Sequence, residues 1–549
     1  MSLGRHGYRA PLLWLLLPLI AGLSAGKLLE AAPGALLAGA GLLILVAAAA
    51  AWSTRAVGRR LWPPTLGLAM ALAGMVFFQV RLARLADWND LPPREARLTL
   101  RVTQVFAAPE GGGRLNGLAV VTDAGTHLRD LVGQKLYFSL LLPGGAAPPL
   151  RSEKIEVLGV LEVLPRHAAG RGFTDYLVNA GMNFKLTRGR VLREVAPPSA
   201  YQRFCHRAMD RLHAILGAGL DDHPALAAIL RAMMLGQVQE LSGDQKGLFM
   251  RSGTLHLFAI SGQQITIIAL CLQTLLHLLH VPRLPAAAVG LTALWLYVDI
   301  TGASPSAVRA FLMCALVIAA FTLRRPGNIL SALAASAWLV LVADPMQLFS
   351  ASFQMSYGIV AVLLLLGVPL AEALQARWPL FASLPEATWR WHQRWRANGW
   401  RWFLGLLGIG LATMLVSMLT SVQFFQLFTP GALLANLLLI PASSVVIGAG
   451  FASLLCGLCG FAAGSALFNH AGALVLWLMD GFLRGATTIR GVFVPAHFRP
   501  EWLGPAGHAA LLAACLAGSA WRWRRERGGF WPPFVLVALL LLLGVQFGA

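Results

Sequence analysis

The chain has 549 residues, 57% hydrophobic and 12% charged, with a formal net charge of +20. A soluble domain carries about 25% charged residues, so the chain as a whole is not an ordinary soluble protein. The six cysteines are scattered; Cys456 and Cys459 form a C-x-x-C inside the apolar run LLCGLCGF, with no second pair and no zinc-spaced His, so no disulfide framework or metal knuckle is implied.

Arg5, His6 and Arg9 precede a first apolar run, and two more follow closely, which favours a first transmembrane helix over a cleaved signal. Spans are expected at about 11–25, 34–52 and 65–80. Arg55, Arg59 and Arg60 lie between the second and third. With Arg5 and Arg9 they place the N-terminus and that loop in the cytoplasm. Three crossings then leave the segment after Arg84 outside.

That segment, 94–194, lacks any run able to span a bilayer. ARLTLRVTQVF alternates apolar and polar residues, as a half-buried strand does. LNGLAVVTD, QKLYFSLLL and SEKIEVLGVLEVL continue the pattern between turns such as 110–113. GFTDYLVNAGM then gives a helical turn before a last strand. Five short strands predict a small barrel of the OB type. Residues 200–250 read as amphipathic helices, either interfacial or packed on the membrane core.

From Leu255 onward apolar runs of about 20 residues follow one another. Spans are expected at about 255–279, 285–300, 306–323, 329–342 and 353–370. The basic stretch 377–401 then falls in the cytoplasm as a loop, with Arg324 and Arg325. Further spans at 404–420, 511–521 and 533–543 flank 431–484. To keep 521–528 cytoplasmic, 431–484 must cross an even number of times, although its apolar content suffices for three spans. A re-entrant or broken helix is one solution, with Gly448, Gly450, Gly457 and Gly460 as breaks. The result is a polytopic α-helical membrane protein of about 11–13 spans with an inserted OB-like barrel. Its regions are 1–85 (three helices), 94–194 (barrel), 200–250, 253–500 (channel core) and 501–549 (C-terminal helices).

Polar residues in a membrane core are costly and face a bundle interior or a cavity. Here they cluster as His256, Ser261, Gly262, Gln263 and Gln264; as Asp299, Thr301 and Arg309; as Asp344, Gln354 and Ser356; and around Asn436. The plain alternatives to a pathway are interhelical hydrogen bonding for the first cluster, snorkelling of Arg309 to the interface for the second and a helix-terminal or loop place for Asp344. There is no P-loop, no H-E-x-x-H and no ligand cluster. The expectation is therefore transport or binding, with no catalytic residue, metal or cofactor.

Those clusters, in order, carry a resemblance. HLFAISGQQI (256–265), TGASPSAVRA (301–310), DPMQLFSASFQMSYG (344–358) and LLANLLLIP (433–441) resemble the motifs of the ComEC family of DNA-uptake channels. The barrel segment with its closing GFTDYLVNAGM also resembles that family's OB-like domain. Gln264 stands where the family usually has a second His. The metallo-β-lactamase-like nuclease motif of many members does not occur in these residues.

The resemblance implies passage of single-stranded DNA into the cytoplasm through the bacterial inner membrane. It also implies separate receptor, nuclease and cytoplasmic motor proteins, with lipid as the surroundings. His256, Ser261, Gly262, Gln263, Gln264, Arg309, Asp344, Gln354, Ser356 and Asn436 become pore candidates. Region 94–194 holds 14 basic and 9 acidic residues. Its Arg97, Arg101, Arg114, Lys135, Arg151, Lys154, Lys185, Arg188 and Arg190 become DNA-binding candidates. Phe106, Tyr137, Phe138, Phe173, Tyr176 and Phe184 are its stacking candidates. The alternative is an envelope transporter or scaffold for a small or lipid-like anion.

Overall fold

Where no water is present, a chain must satisfy its own amides, and a helix does so within one segment. The computed structural model is accordingly dominated by helices. It describes residues 10–29, 33–52, 56–84, 92–106, 113–142, 147–165, 173–254, 257, 260–324, 328–489 and 494–547. Arg5, His6, Arg9, Arg55, Arg325, the turn residues 110–112 and His256 lie outside the described residues.

Helices α1 (Leu13–Leu28), α2 (Pro33–Trp52) and α3 (Ala56–Ala83) come first. Strands β1 (Arg94–Val105), β2 (Arg114–Ala124), β3 (Lys135–Leu141) and β4 (Lys154–Val163) follow, then helix α4 (Phe173–Asn179) and strand β5 (Phe184–Ala196). Next are α5 (Ala200–Gly217), α6 (Pro224–Leu235), α7 (Gly243–Arg251), α8 (Gly262–Leu278), α9 (Arg283–Ile300), α10 (Pro305–Thr322) and α11 (Ile329–Ala343). Helices α12 (Ala351–Val362) and α13 (Val368–Arg377) are joined through a π turn. Helix α14 (Trp391–Thr420) continues through a second π turn at Ser421–Phe425 into β6 (Leu427–Phe428). The chain continues through α15 (Ala432–Leu458), α16 (Ala462–Thr487), β7 (Val494–Phe498), α17 (Leu503–Ala520), α18 (Trp531–Gly544) and β8 (Val545–Phe547). Among the described residues ten helical stretches are long and apolar enough to cross a membrane. The shorter α1, α8 and α11 fill three more of the expected span positions.

The chain divides into two compact units. The first comprises Met1–Asp210, Trp295–Ala303 and Leu312–Ser350; the second comprises Arg211–Leu294, Ser304–Phe311 and Ala351–Ala549.

In the first unit α1 and α3 meet backbone to backbone. A methyl group on Gly22 would lie 1.9 Å from the Ala71 carbonyl oxygen, and one on Gly26 would lie 3.0 Å from that of Met75. This is the close approach that small residues four apart allow between membrane helices. The five strands form a closed barrel in the order β1-β2-β3-β5-β4, antiparallel except for the parallel β3–β5 pair. That is the strand order of an OB barrel; the helix here lies between β4 and β5. Leu98, Leu100 and Val102 alternate into its core and meet Leu136, Phe138, Leu140, Phe184 and Leu186. Phe138 and Phe184 are fully buried, which removes them as stacking candidates. Helix α4 closes one end through Leu177 and Val178, against Tyr137 and Met182.

In the second unit three expectations need correction. Helix α8 begins at Gly262, not at Leu255, because Ser261, with extended backbone, caps it there. Segment 431–484 contains no broken helix: α15 and α16, of 27 and 26 residues, absorb its whole apolar content. The count is even, as charge parity required. None of the α15 glycines is a break: Gly450 and Gly457 are seats, and Gly448 meets open space. A Cβ on Gly450 would lie 2.7 Å from Met234 Sδ on α6, and one on Gly457 would lie 2.5 Å from Ile215 on α5. Gly460, at φ +81°, makes the turn between α15 and α16. The basic stretch is a loop only as far as Arg390, because 391–401 is the start of α14. Helix α6 packs on α15 and α16 with Ala227–Leu235 largely buried, so it belongs to the core rather than to an interface.

Strands β6, β7 and β8 form one antiparallel sheet. It gathers the end of α14, the α16–α17 connection and the end of α18 at a common end of this unit.

Gly22→Val places branched carbons on the Ala71 carbonyl. We expect a loss of at least about 1–3 kcal/mol, read as a lower unfolding midpoint of the purified protein, with Gly34→Val, where an added Cβ meets open space, as the neutral control.

Candidate functional site

A helix starting inside a bundle leaves its first amides without helical partners. Ser261 and Gln264 meet that need reciprocally at the start of α8. Gln264 Oε1 accepts from the Ser261 amide at 2.6 Å, while Ser261 Oγ accepts from the Gln264 amide at 3.5 Å. The Gln264 side-chain amide also donates to the carbonyls of Met233 (2.7 Å) and Leu257 (3.1 Å). Gln263 points elsewhere. Its Nε2 lies 3.1 Å from the Ile440 carbonyl and 3.0 Å from both Ser443 Oγ and Ser444 Oγ, one turn past Asn436 on α15. Gly262 packs against Ala310, and Ser306 Oγ donates to the Ile260 carbonyl at 2.8 Å. The break before α8 is thus stitched to α6, α10 and α15.

Arg309, on α10, is 2% exposed and is the bulkiest of the fully buried side chains. Its Nη2 donates to the Ser352 carbonyl (2.9 Å) and Ser352 Oγ (2.5 Å) at the start of α12. Among the described residues its Nε has no partner and no carboxylate pairs with it. Arginine keeps its proton in proteins, so this is a buried cation without a counter-ion. Ser352 is itself exposed and carries Arg309 to the surface of α12. Ser356 lies one turn further along that helix; Gln354 projects from another side of it. Ser352 escaped the sequence reading, although its i, i+4 spacing to Ser356 was visible.

Asn436 has no hydrogen-bond partner among the described residues. It lines a narrow crevice with Gly410, Met414, Ser417, Met418, Thr429 and Leu433, with room for about one water. Asp344 belongs to the first unit, apart from the other described pore candidates. It caps the turn after α11 by accepting from the Met346 amide, and Lys135 Nζ lies 3.2 Å from its Oδ2.

The nine basic candidates of the barrel divide. Lys135 is bound to Asp344, and Arg151 reaches Asp299 at the end of α9, 2.5 Å away. Asp299 is buried and also accepts from Tyr201, whose hydroxyl is pushed above its ordinary pKa by burial and by that bond. Lys135 and Arg151 therefore fasten the barrel to helix ends. Arg97, with Arg193, holds Glu156, and Lys185 lies 3.9 Å from Glu162. Arg101, Arg114, Lys154, Arg188 and Arg190 are exposed and make no ion pair among the described residues. Arg101 faces Lys154 across β1–β4, while Arg114 and Arg190 flank exposed Leu141. Phe173 and Tyr176 are exposed and stack at 6.0 Å.

Hydrogen bonds from Arg97 and Arg193 hold the Glu156 carboxyl below its ordinary 4.5. The stabilisation is present above that value and is lost as pH falls through the lowered one. Glu156→Gln is expected to speed hydrogen exchange in β1, β4 and β5 at pH 7, with the difference from wild type closing as the carboxyl is protonated in acid.

Comparison with known proteins bears on the second unit. A family model described as "Competence protein" matches residues 233–525, which include Gln263, Gln264, Arg309, Ser352 and Asn436. "ComE operon protein 3" of Bacillus subtilis (strain 168) is 27% identical over 208 residues, 37% of this chain and 26% of that protein. The match thus spans about a quarter of that curated relative's length. No solved structure matches. Since the family match covers more than half of the chain and contains the buried arginine and the stitched break before α8, the chain belongs to the competence protein family.

Proposed function

We propose that this protein takes part in DNA uptake during natural transformation, as the conduit for single-stranded DNA across the bacterial cytoplasmic membrane. The observation that carries the reading is Arg309. A guanidinium buried in a membrane helix is costly, and structural service alone would be met by a neutral donor. With no carboxylate to neutralise it, its field remains available to a passing phosphate. Gln263, Gln264, Ser352 and Asn436 supply the uncharged groups that a wet path requires. In the present arrangement Arg309 bonds Ser352, and Gln263 and Gln264 bond backbone carbonyls and serines around them, so conduction requires those bonds to exchange for bonds to the strand. The proposal covers conduction only.

Charge parity supports the orientation. With 377–401 and 521–528 in the cytoplasm, the β6–β7–β8 sheet and the barrel face the outside. The five unpaired basic residues of the barrel, with the Phe173–Tyr176 stack, suit first contact with an incoming strand. The tethered state of Lys135, Arg151, Arg97 and Lys185 favours the alternative of a small-anion transporter, and salt dependence separates the two. The full-length protein should bind labelled oligo-dT with a log–log salt slope of about −3 to −4 if five phosphates are neutralised. A flat dependence favours the small anion.

Arg309→Met keeps the packing stem and removes the charge. It and Asn436→Leu are expected to lower transformation frequency by roughly 100-fold or more at unchanged membrane protein level, as expected for loss of a charged pathway group. Normal transformation in both variants would exclude the conduit.

A further inference from the structure

Helix α14 and its π turn run from Trp391 to Phe425, 35 residues, or about 52 Å at 1.5 Å per residue. The hydrocarbon core of a bilayer is about 30 Å thick, with about 5–8 Å of head groups on each side. The apolar part of the helix begins at Phe403, which puts Trp402 at the hydrocarbon edge. Trp395 and Trp391 lie about 10 and 16 Å further out along the axis. Helical side chains also lean toward the N-terminus, here away from lipid. Trp391 and Trp395 therefore stand beyond the head groups, in water.

Their exposure is nearly complete: 81% for Trp391 and 75% for Trp395, with 59% for Trp402. They are not strays. Trp391, Trp395, Asn398 and Trp402 recur at a spacing of four, three and four, which makes one straight seam on a helix. The opposite face carries Ala397 and Leu404, both buried. That face is fixed to its own unit by Trp400 Nε1 donating to the Trp378 carbonyl at 2.8 Å. The seam is thus the face that the protein leaves uncovered. Arg394 lies about 80° round the helix on one side of the seam and Arg396 about 120° round on the other, both exposed and without ion pairs among the described residues.

We propose that this seam docks an amphipathic helix of a soluble protein at that membrane face, with apolar residues at three–four spacing and carboxylates along both edges. Trp and Arg are the residues that anchor interfaces of this kind. A second copy of this chain is disfavoured because arginines would face arginines, and lipid is disfavoured by the distance. The proposal is independent of what the conduit carries.

The test uses the full-length protein in nanodiscs of zwitterionic lipid. The probe is a fluorescent helical peptide of about 20 residues, with leucine along one seam and glutamate on both flanks. A lysine-flanked twin is the control. The glutamate peptide should bind roughly tenfold or more tighter than the twin. Trp391→Ala with Trp395→Ala should lose that binding, and Arg394→Glu with Arg396→Glu should reverse the preference. Three outcomes overturn the proposal. The glutamate peptide fails to bind, or binds the tryptophan variant as well as wild type. The tryptophan variant instead loses oligo-dT and not peptide, which makes the seam a base-stacking surface. A bimane on Trp391→Cys is quenched by brominated lipid, which makes the seam a membrane anchor.

Discussion

The reciprocal bonds between Ser261 and Gln264 are the point on which the second unit turns. A helix that starts within a bundle has bare amides, and a solvent of lipid tails offers them nothing. One glutamine answers twice. It closes the cap of α8 and ties the segment before it to the end of α6. With that start fixed, Gln263 is aimed at α15 and Gly262 at α10. Arg309, one position before the alanine that Gly262 touches, is then held against α12. The buried cation and the irregular backbone are therefore one arrangement rather than two features.

Much of this was legible beforehand. The barrel strands declared themselves because one face is buried and the other wet, so every second residue is apolar. That 431–484 would hold an even number of long apolar helices was the expectation from arginines, and two are found. Other points were not legible for identifiable reasons. A glycine that breaks a helix and one that seats a neighbour read alike, and Gly450 and Gly457 prove to be seats. The tryptophan- and arginine-rich stretch before Phe403 looked like a loop because its composition is interfacial, but its period is helical. Two adjacent glutamines showed that polar partners were needed without saying which. Ser352 went unnoticed because serine is common in membrane helices.

The barrel shows how charge counts mislead. Lys135 and Arg151 add to its basic total but serve as fasteners to Asp344 and Asp299. What remains for a polyanion is a smaller group: Arg101 beside Lys154, and Arg114 and Arg190 about Leu141, with Arg188 nearby. Under the proposed conduit, moderate basicity of this kind suits a surface that receives a strand and then releases it, because tight binding at an entrance would stall passage.

The sheet made of β6, β7 and β8 has a consequence for biogenesis. Residues 427 and 547 lie in the same small sheet but leave the ribosome 120 residues apart. At roughly 5–20 residues per second, that interval is about 6–24 s. Until it has passed, the end of α14 and the α16–α17 connection can pair through β6 and β7, but the end of α18 is not yet joined to them. This end of the second unit is thus closed only when residues 545–547 have been made. During that interval the second unit is a set of helices whose common end is held by two strands rather than three.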